Sequence, residues 1–203
     1  MQPQNYSQQS AIKFNLQRVL QLFLVLFFAL HASFVCAKET QDCLKWPSWF
    51  KPVCTTLHDT WTKGRPELYL TGYAWHNRYT YTEKRLKTYN EAAWGGGLGK
   101  GFVDKDGDWN ALYMMAFLDS HKNVEPLGGY AFIKTAHFSE HVRGGIGYTA
   151  FITARPDIFK GRPFPGILPL ASFSILRLSV FATYIPGAAG AGNVLFCFAK
   201  FAF

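Results

Sequence analysis

Acidic residues are scarce in this chain. Its 203 residues hold 13 Asp and Glu against 21 Lys and Arg, and charged residues of both signs make up only 17%. Soluble domains usually carry about 25%. The formal net charge of +8 suits a polyanionic partner or an anionic membrane surface. No basic cluster is interleaved with a nucleic-acid motif, so nucleic acid is set aside and a membrane favoured. Cysteine is sparse too, with four in all, and their spacing fits no zinc pattern. Past the first forty residues no apolar run reaches the length of a membrane-crossing helix.

Aromatic residues are abundant, at 17%, with 19 Phe, 10 Tyr and 6 Trp. The N-terminus supplies Lys13 and Arg18 and no acid, then the apolar stretch "VLQLFLVLFFALHASFVCA". Small residues at the end of such a stretch are what signal peptidase accepts, which predicts cleavage after Ala37 and export. A retained membrane anchor is the competing reading. The predicted organisation is a signal peptide over 1–37, a segment with an interfacial helix over 38–66, and a barrel over 67–203. Export implies an oxidising compartment. Cys43, Cys54 and Cys197 survive cleavage and are read as free thiols in preference to a Cys43–Cys54 pair, which the spacing leaves open.

In residues 44–63, Trp46, Trp49, Phe50, Val53, Leu57 and Trp61 recur at helical steps. They predict one apolar stripe on a helix starting near Pro52. Tryptophans flanked by Lys45, Lys51 and Lys63 suit a helix lying in a membrane interface.

From residue 67 the texture changes to short aromatic and β-branched segments punctuated by Gly, Asp, Asn and Pro. Eight strands are predicted, near 67–81, 88–104, 108–120, 125–138, 141–155, 166–174, 175–186 and 192–203. Their number and length fit a small transmembrane β-barrel. In the first strand the odd positions Tyr69, Tyr73, Trp75, Tyr79 and Tyr81 form an aromatic face, assigned to lipid. The even positions Leu68, Leu70, Gly72, Ala74, His76 and Arg78 are assigned to the lumen. The stretch "LYMMAFLDSH" (112–121) is apolar on both faces and polar only at its tip, unlike a wet porin wall. A dry lumen is either filled by side chains or holds something oily, and periodicity leaves both open.

Several stretches occur in one order: "AWHNRY" around His76, "WGGGLG" at 94–99, "AFLDS" with Asp119 and Ser120, "GIGYTAFITAR" ending at Arg155, "LPLAS" at 168–172 and "YIPG" at 184–187. Together they resemble the lipid A palmitoyltransferase family, PagP, from about residue 49 to the end. The resemblance implies an all-β fold, an eight-stranded antiparallel transmembrane β-barrel with an N-terminal amphipathic α-helix. It implies an outer-membrane acyltransferase of a Gram-negative bacterium, moving palmitate from a phospholipid donor to lipid A and so resisting cationic peptides. No cofactor and no metal is implied, and the chain is expected to act as a monomer.

His76, Asp119 and Ser120 match the family's catalytic positions, and Arg155 matches an arginine of its "TAR" motif. Acyl transfer needs a base, which His supplies near neutrality. Asp119 is expected to orient His76. Ser120 either donates to an oxyanion or is itself acylated. Asp119 and Ser120 face opposite sides of an ideal strand, so both can act only where the strand breaks into its loop. Pro169 and Pro186 are expected to flank a gap in the wall, because proline lacks the amide a ladder needs. The family's second gap has prolines where this chain has Thr71 and Ala93. Ala131 stands at the lumen floor where the family carries glycine, which predicts an acyl chain slightly shorter than palmitate. Arg143, Arg155, Lys160 and Arg162 are expected to share one loop region that holds lipid A phosphates. The alternatives are a lipid A deacylase or phospholipase, and a non-catalytic lipid-binding barrel.

Overall fold

Each strand of the 67–203 region pairs with its sequence neighbour, and the last pairs with the first. The computed structural model describes residues 41–188 and 192–203. The expected signal peptide lies outside the described residues. By internal contacts the chain forms two units, 1–45 and 46–203. Of the first, a single helical turn, Gln41–Leu44, is described. Cys43 and Cys54 are both disulfide-bonded, which corrects the free-thiol reading for these two, while Cys197 is free.

In the second unit, helix α1 (Lys51–Lys63) has Pro52 in its first turn, where no amide partner is missed, and Lys63 in its last. Lys63 pairs with Asp59 one turn earlier at 2.9 Å. The helix packs against β2 and β3. Lys100 ties it there, its Nζ donating to the carbonyl of Trp61 at 2.6 Å and lying over the Trp61 ring. Trp46 and Trp49, just before it, are exposed, as an interfacial anchor requires.

The strands are β1 (Arg65–His76), β2 (Gly95–Val103), β3 (Trp109–Leu118), β4 (Val124–His137), β5 (Val142–Thr153), β6 (Phe164–Ile175), β7 (Leu178–Ile185) and β8 (Val194–Ala202). They close into one antiparallel barrel in that order. The second strand is shorter than expected, because residues 77–94 form a loop with one helical turn, Glu83–Leu86. The up-and-down order puts the ends of β1, β3, β5 and β7 at one rim, here the upper. His76, Ser120, Arg155 and Pro186 therefore share a rim. Arg143 starts β5 and lies at the opposite end, where it donates to the Leu176 carbonyl at 3.1 Å. The grouping of Arg143 with Arg155, Lys160 and Arg162 is corrected accordingly.

The faces of β1 also differ from simple alternation. Glu67, Tyr69 and Thr71 are buried, then Ala74 and His76. Against β8, Thr71 pairs with Phe198 but Tyr73 pairs with Cys197, so Gly72 is an extra residue in a β-bulge. The bulge swaps the faces. Below it the odd residues point inward, so Tyr69 is a core residue and Leu70 faces outward. Above it the even residues point inward. The expectation that Tyr69 meets lipid fails for this reason, whereas His76 faces inward because of the same bulge. Gly72 itself lies under the Trp94 ring, where a Cβ would make a tight 3.4 Å contact.

Outside, the wall exposes Leu98, Ile146, Ile152, Ile167, Phe173 and Val180, an apolar band of the kind lipid covers. Inside, the lower lumen holds a packed core. Trp109, Ala111, Ala131, Ile133, Leu170 and Phe181 pack as one cluster. Beside them Glu67 accepts from Lys200 Nζ at 2.6 Å, Tyr69 Oη at 2.7 Å and Trp109 Nε1 at 3.1 Å. Gly101 makes room for this carboxylate, since a Cβ there would collide with it. Higher up the inward residues are mainly apolar. Ala74, Val194 and Phe196 cluster with Phe117, Ile185 and Phe198.

Candidate functional site

The upper rim gathers His76, Ser120 and a carboxylate that sequence reasoning passed over. β3 ends at Leu118 and the chain turns at once, so Asp119 and Ser120 leave the alternation of the strand. The imidazole Nε2 of His76 lies 2.8 Å from Ser120 Oγ. Its Nδ1 lies 3.3 Å from Glu91 Oε1. The Tyr89 ring stacks on the imidazole at 4.8 Å and 17°, and Tyr81 meets it edge-on. His76 is almost fully buried at 1% exposure.

Asp119 is buried but turned toward its own loop. Its Oδ1 accepts from the amides of His121 and Asn123 at 2.8 and 2.7 Å, and its Oδ2 from Asn123 Nδ2 at 3.3 Å. This is the Asx-type bonding that fixes a turn, and the turn presents Ser120. The acid beside His76 Nδ1 is Glu91, not Asp119. Glu91 is held by Arg78, whose Nη1 and Nη2 donate to its two oxygens at 2.5 and 2.7 Å. This forked pair holds the Glu91 carboxyl far below the usual value of 4.5, at about 2.

Arg155 stands at the same rim. It grips Asp157 through Nε and Nη2 at 3.1 and 2.9 Å, and its Nη1 is 3.7 Å from Glu125. Burial, the largest single effect, would raise the Asp157 carboxyl, but the hydrogen bond and the charge of Arg155, with the Asp157 backbone amide, together outweigh it and the net shift is downward.

The wall beside the site is incomplete in two places. The β5–β6 ladder runs unbroken from Val142 to Thr153. The β6–β7 ladder stops at Leu170 paired with Thr183, leaving Phe164–Pro169 without a partner on β7. Pro169 sits where the pairing ends, and Pro186 follows β7 directly. The second gap is present too, since the β1–β2 ladder stops at Thr71 paired with Gly95. Here the gap is laced by other groups. Thr71 Oγ1 donates to the Ala93 carbonyl at 2.7 Å, and the Ala74 amide to the Glu91 carbonyl at 2.9 Å. Ala131 lies in the floor cluster at 2% exposure, paired with Ala111 and Thr149.

Glu91 and Tyr89 had no periodic signal to mark them, because they sit in a loop where spacing carries no face, and Arg78, which alternation assigned to the lumen, lies beyond the end of β1 in that same loop. Among the described residues no group of His, Cys, Asp and Glu has metal-site geometry.

A base with a hydroxyl on one nitrogen and an acid on the other, at the mouth of an apolar lumen with a lateral gap, is an arrangement for acyl transfer to or from a lipid. A family model described as "Antimicrobial peptide resistance and lipid A acylation protein PagP" matches residues 56–200. The chain is 52% identical over 171 residues to the lipid A acyltransferase PagP of Legionella longbeachae serogroup 1 (strain NSW150), covering 83% of this chain and 74% of that protein. It is 49% identical over 177 residues to the protein of that name from Legionella pneumophila, covering 87% and 95%. To the lipid A acyltransferase PagP of Bordetella parapertussis (strain 12822 / ATCC BAA-587 / NCTC 13253) the chain is 52% identical over 161 residues, covering 79% of this chain and 88% of that protein. With likeness of this extent running through the whole barrel and its rim, the chain belongs to the PagP family of lipid A acylation proteins.

Proposed function

We propose that this chain is an outer-membrane lipid A acyltransferase that draws a palmitoyl, or slightly shorter, chain from a glycerophospholipid. The observation that carries the reading is the 2.8 Å contact of His76 Nε2 with Ser120 Oγ above an apolar lumen. The donor's acyl chain lies in the lumen, entering sideways through the β6–β7 gap beside Pro169, with Pro186 at its other margin. Its ester carbonyl then stops at the rim. His76 takes the proton of the attacking hydroxyl at Nε2 and returns it to the glycerol oxygen of the departing lysophospholipid as the acyl–oxygen bond breaks. Ser120 is either that hydroxyl, giving an acyl-serine, or the donor to the oxyanion when the lipid A hydroxyl attacks directly. An acyl-serine trapped by acid quench separates the two routes. Asp119 supports Ser120 by fixing its turn. Arg155, held between Asp157 and Glu125, places a cation at the rim that draws a lipid A phosphate toward the site.

Chain length follows from the floor. Ala131 fills the position beneath the acyl terminus, and each methylene excluded there removes about 0.8 kcal/mol of burial.

Mass spectrometry of lipid A from cells expressing the chain, beside cells expressing His76→Ala, tests the proposal. An added acyl mass with the intact chain alone is expected. A loss of acyl mass would instead make the protein a deacylase, with water in the acceptor's place. No change, with folded protein in the outer membrane, would leave a lipid-binding barrel.

A further inference from the structure

Glu91 comes from the loop after β1, and two of its groups make three contacts with the catalytic strand. Its carbonyl accepts from the Ala74 amide at 2.9 Å. Its Oε1 accepts from the His76 amide at 3.0 Å and lies 3.3 Å from His76 Nδ1. Arg78 holds both Glu91 oxygens and also donates to the His76 carbonyl at 3.1 Å. Backbone and ring of His76 are thus gripped from one side by a single ion pair. With Tyr89 stacked on its face, the imidazole is fixed in plane and rotation.

An ionised carboxylate only accepts hydrogen bonds. The ring nitrogen beside it must therefore carry the proton. In a neutral imidazole the other nitrogen is then a bare lone pair, and that nitrogen is Nε2, 2.8 Å from Ser120 Oγ. The Ser120 hydroxyl donates to it. Asp119 spends its oxygens on its own loop, so among the described residues no other acid is bonded to Nδ1.

We propose that Glu91 is the positioning residue of this site: it holds His76 with the proton on Nδ1, leaving Nε2 free as the base toward the hydroxyl. The proposal rests on His76 being the base of the acyl transfer.

The experiment uses the full barrel in detergent micelles with 15N-labelled histidine. The His76 signals are identified by their loss in His76→Asn. Wild-type protein should show Nδ1 protonated and Nε2 bare. Glu91→Ala should lose that preference, while Glu91→Gln should keep it, because its amide oxygen still accepts. In the acyl-transfer assay Glu91→Ala should lower kcat by ~100-fold or more with little change in KM, because the base loses its fixed tautomer and orientation. Glu91→Gln should recover most of that loss. Arg78→Ala removes the ion pair but not the carboxylate, and should keep the tautomer and lose less activity than Glu91→Ala. The proposal is overturned if Glu91→Ala keeps the wild-type nitrogen shifts, or if Arg78→Ala matches its loss of kcat with the tautomer intact. The latter would make Glu91 a loop tie only. The nitrogen shifts need no turnover. A wild-type chain that transfers no acyl group would therefore sink the transferase reading while the Glu91 contact is still decided on its own.

Discussion

His76 and Ser120 lie 44 residues apart and meet at 2.8 Å, one at the end of β1 and the other one turn beyond β3. Only closure of the barrel rim brings them together. Removing either should stop acyl transfer without unfolding the wall. His76→Ala is expected to lower kcat by roughly 10²–10⁴-fold, the usual contribution of a general base. Ser120→Ala should cost ~100-fold or more as nucleophile or oxyanion donor. Heat-modifiable gel migration should stay as in wild type, and transfer measured with radiolabelled phospholipid would read the loss.

Ala131 should set the length of the transferred chain. Ala131→Gly opens the floor by one methyl and should move the product toward a longer chain. Ala131→Met should shorten it by several methylenes, at about 0.8 kcal/mol for each one excluded. Mass spectrometry of products from mixed-chain phospholipids reads both. Identical product profiles for the three proteins would move the floor elsewhere in the Trp109, Ile133 and Leu170 cluster.

The β6–β7 gap can be pinned. Continuing the register beyond Leu170 and Thr183 places residue 168 opposite 185, both inward-facing. Leu168→Cys with Ile185→Cys should give a protein with low transfer when oxidised and restored transfer after reduction. Equal rates in the two states, with the cross-link verified by mass, would mean that lipid enters by another route.

The Arg78–Glu91 pair predicts a pH dependence of rim stability. The Glu91 carboxyl titrates at about 2 in the folded protein against an ordinary 4.5. A lowered carboxylate contributes stability that is fully present above its unfolded value and is lost as pH falls toward the folded one. The difference in thermal midpoint between wild type and Glu91→Gln should therefore hold above about pH 5 and shrink between there and pH 2. A difference constant across that range would assign the pair no linkage.

At the lower end, Lys200 and Glu67 form a buried pair at 2.6 Å, with side chains 8% and 4% exposed. Lys200→Met leaves the Glu67 charge buried without its cation and should cost about 3–5 kcal/mol. The double variant with Glu67→Gln should recover part of it. Urea unfolding in detergent compares the three, and a Lys200→Met protein as stable as wild type would show that the pair adds nothing to stability.

Strand number, strand order and the apolar lumen were legible in the chain because each rests on local signals. "LYMMAFL" is apolar on both faces, Gly and Pro mark the turns, and 17% of the residues are aromatic. His76, Asp119, Ser120 and Arg155 could be singled out because they sit in motifs at strand ends. Alternation, however, carries a phase only until something interrupts it. The extra residue at Gly72 reversed that phase, so Tyr69 turned inward below it and His76 inward above it, which no period-two reading can yield. Glu91 was hidden for a different reason. A loop residue has no face until the loop is folded back, and its partners, Ala74, His76 and Arg78, become neighbours only when residues 90–94 lace the edge of β1. The same holds for Asp119, whose carboxylate could be assigned to His76 from sequence but is consumed by its own turn. The sequence alone determined the barrel, through local pattern and composition. Which acid faces His76, and which groups lace the open edge of β1, were decided by ring closure, which sets the contacts between residues far apart in the chain.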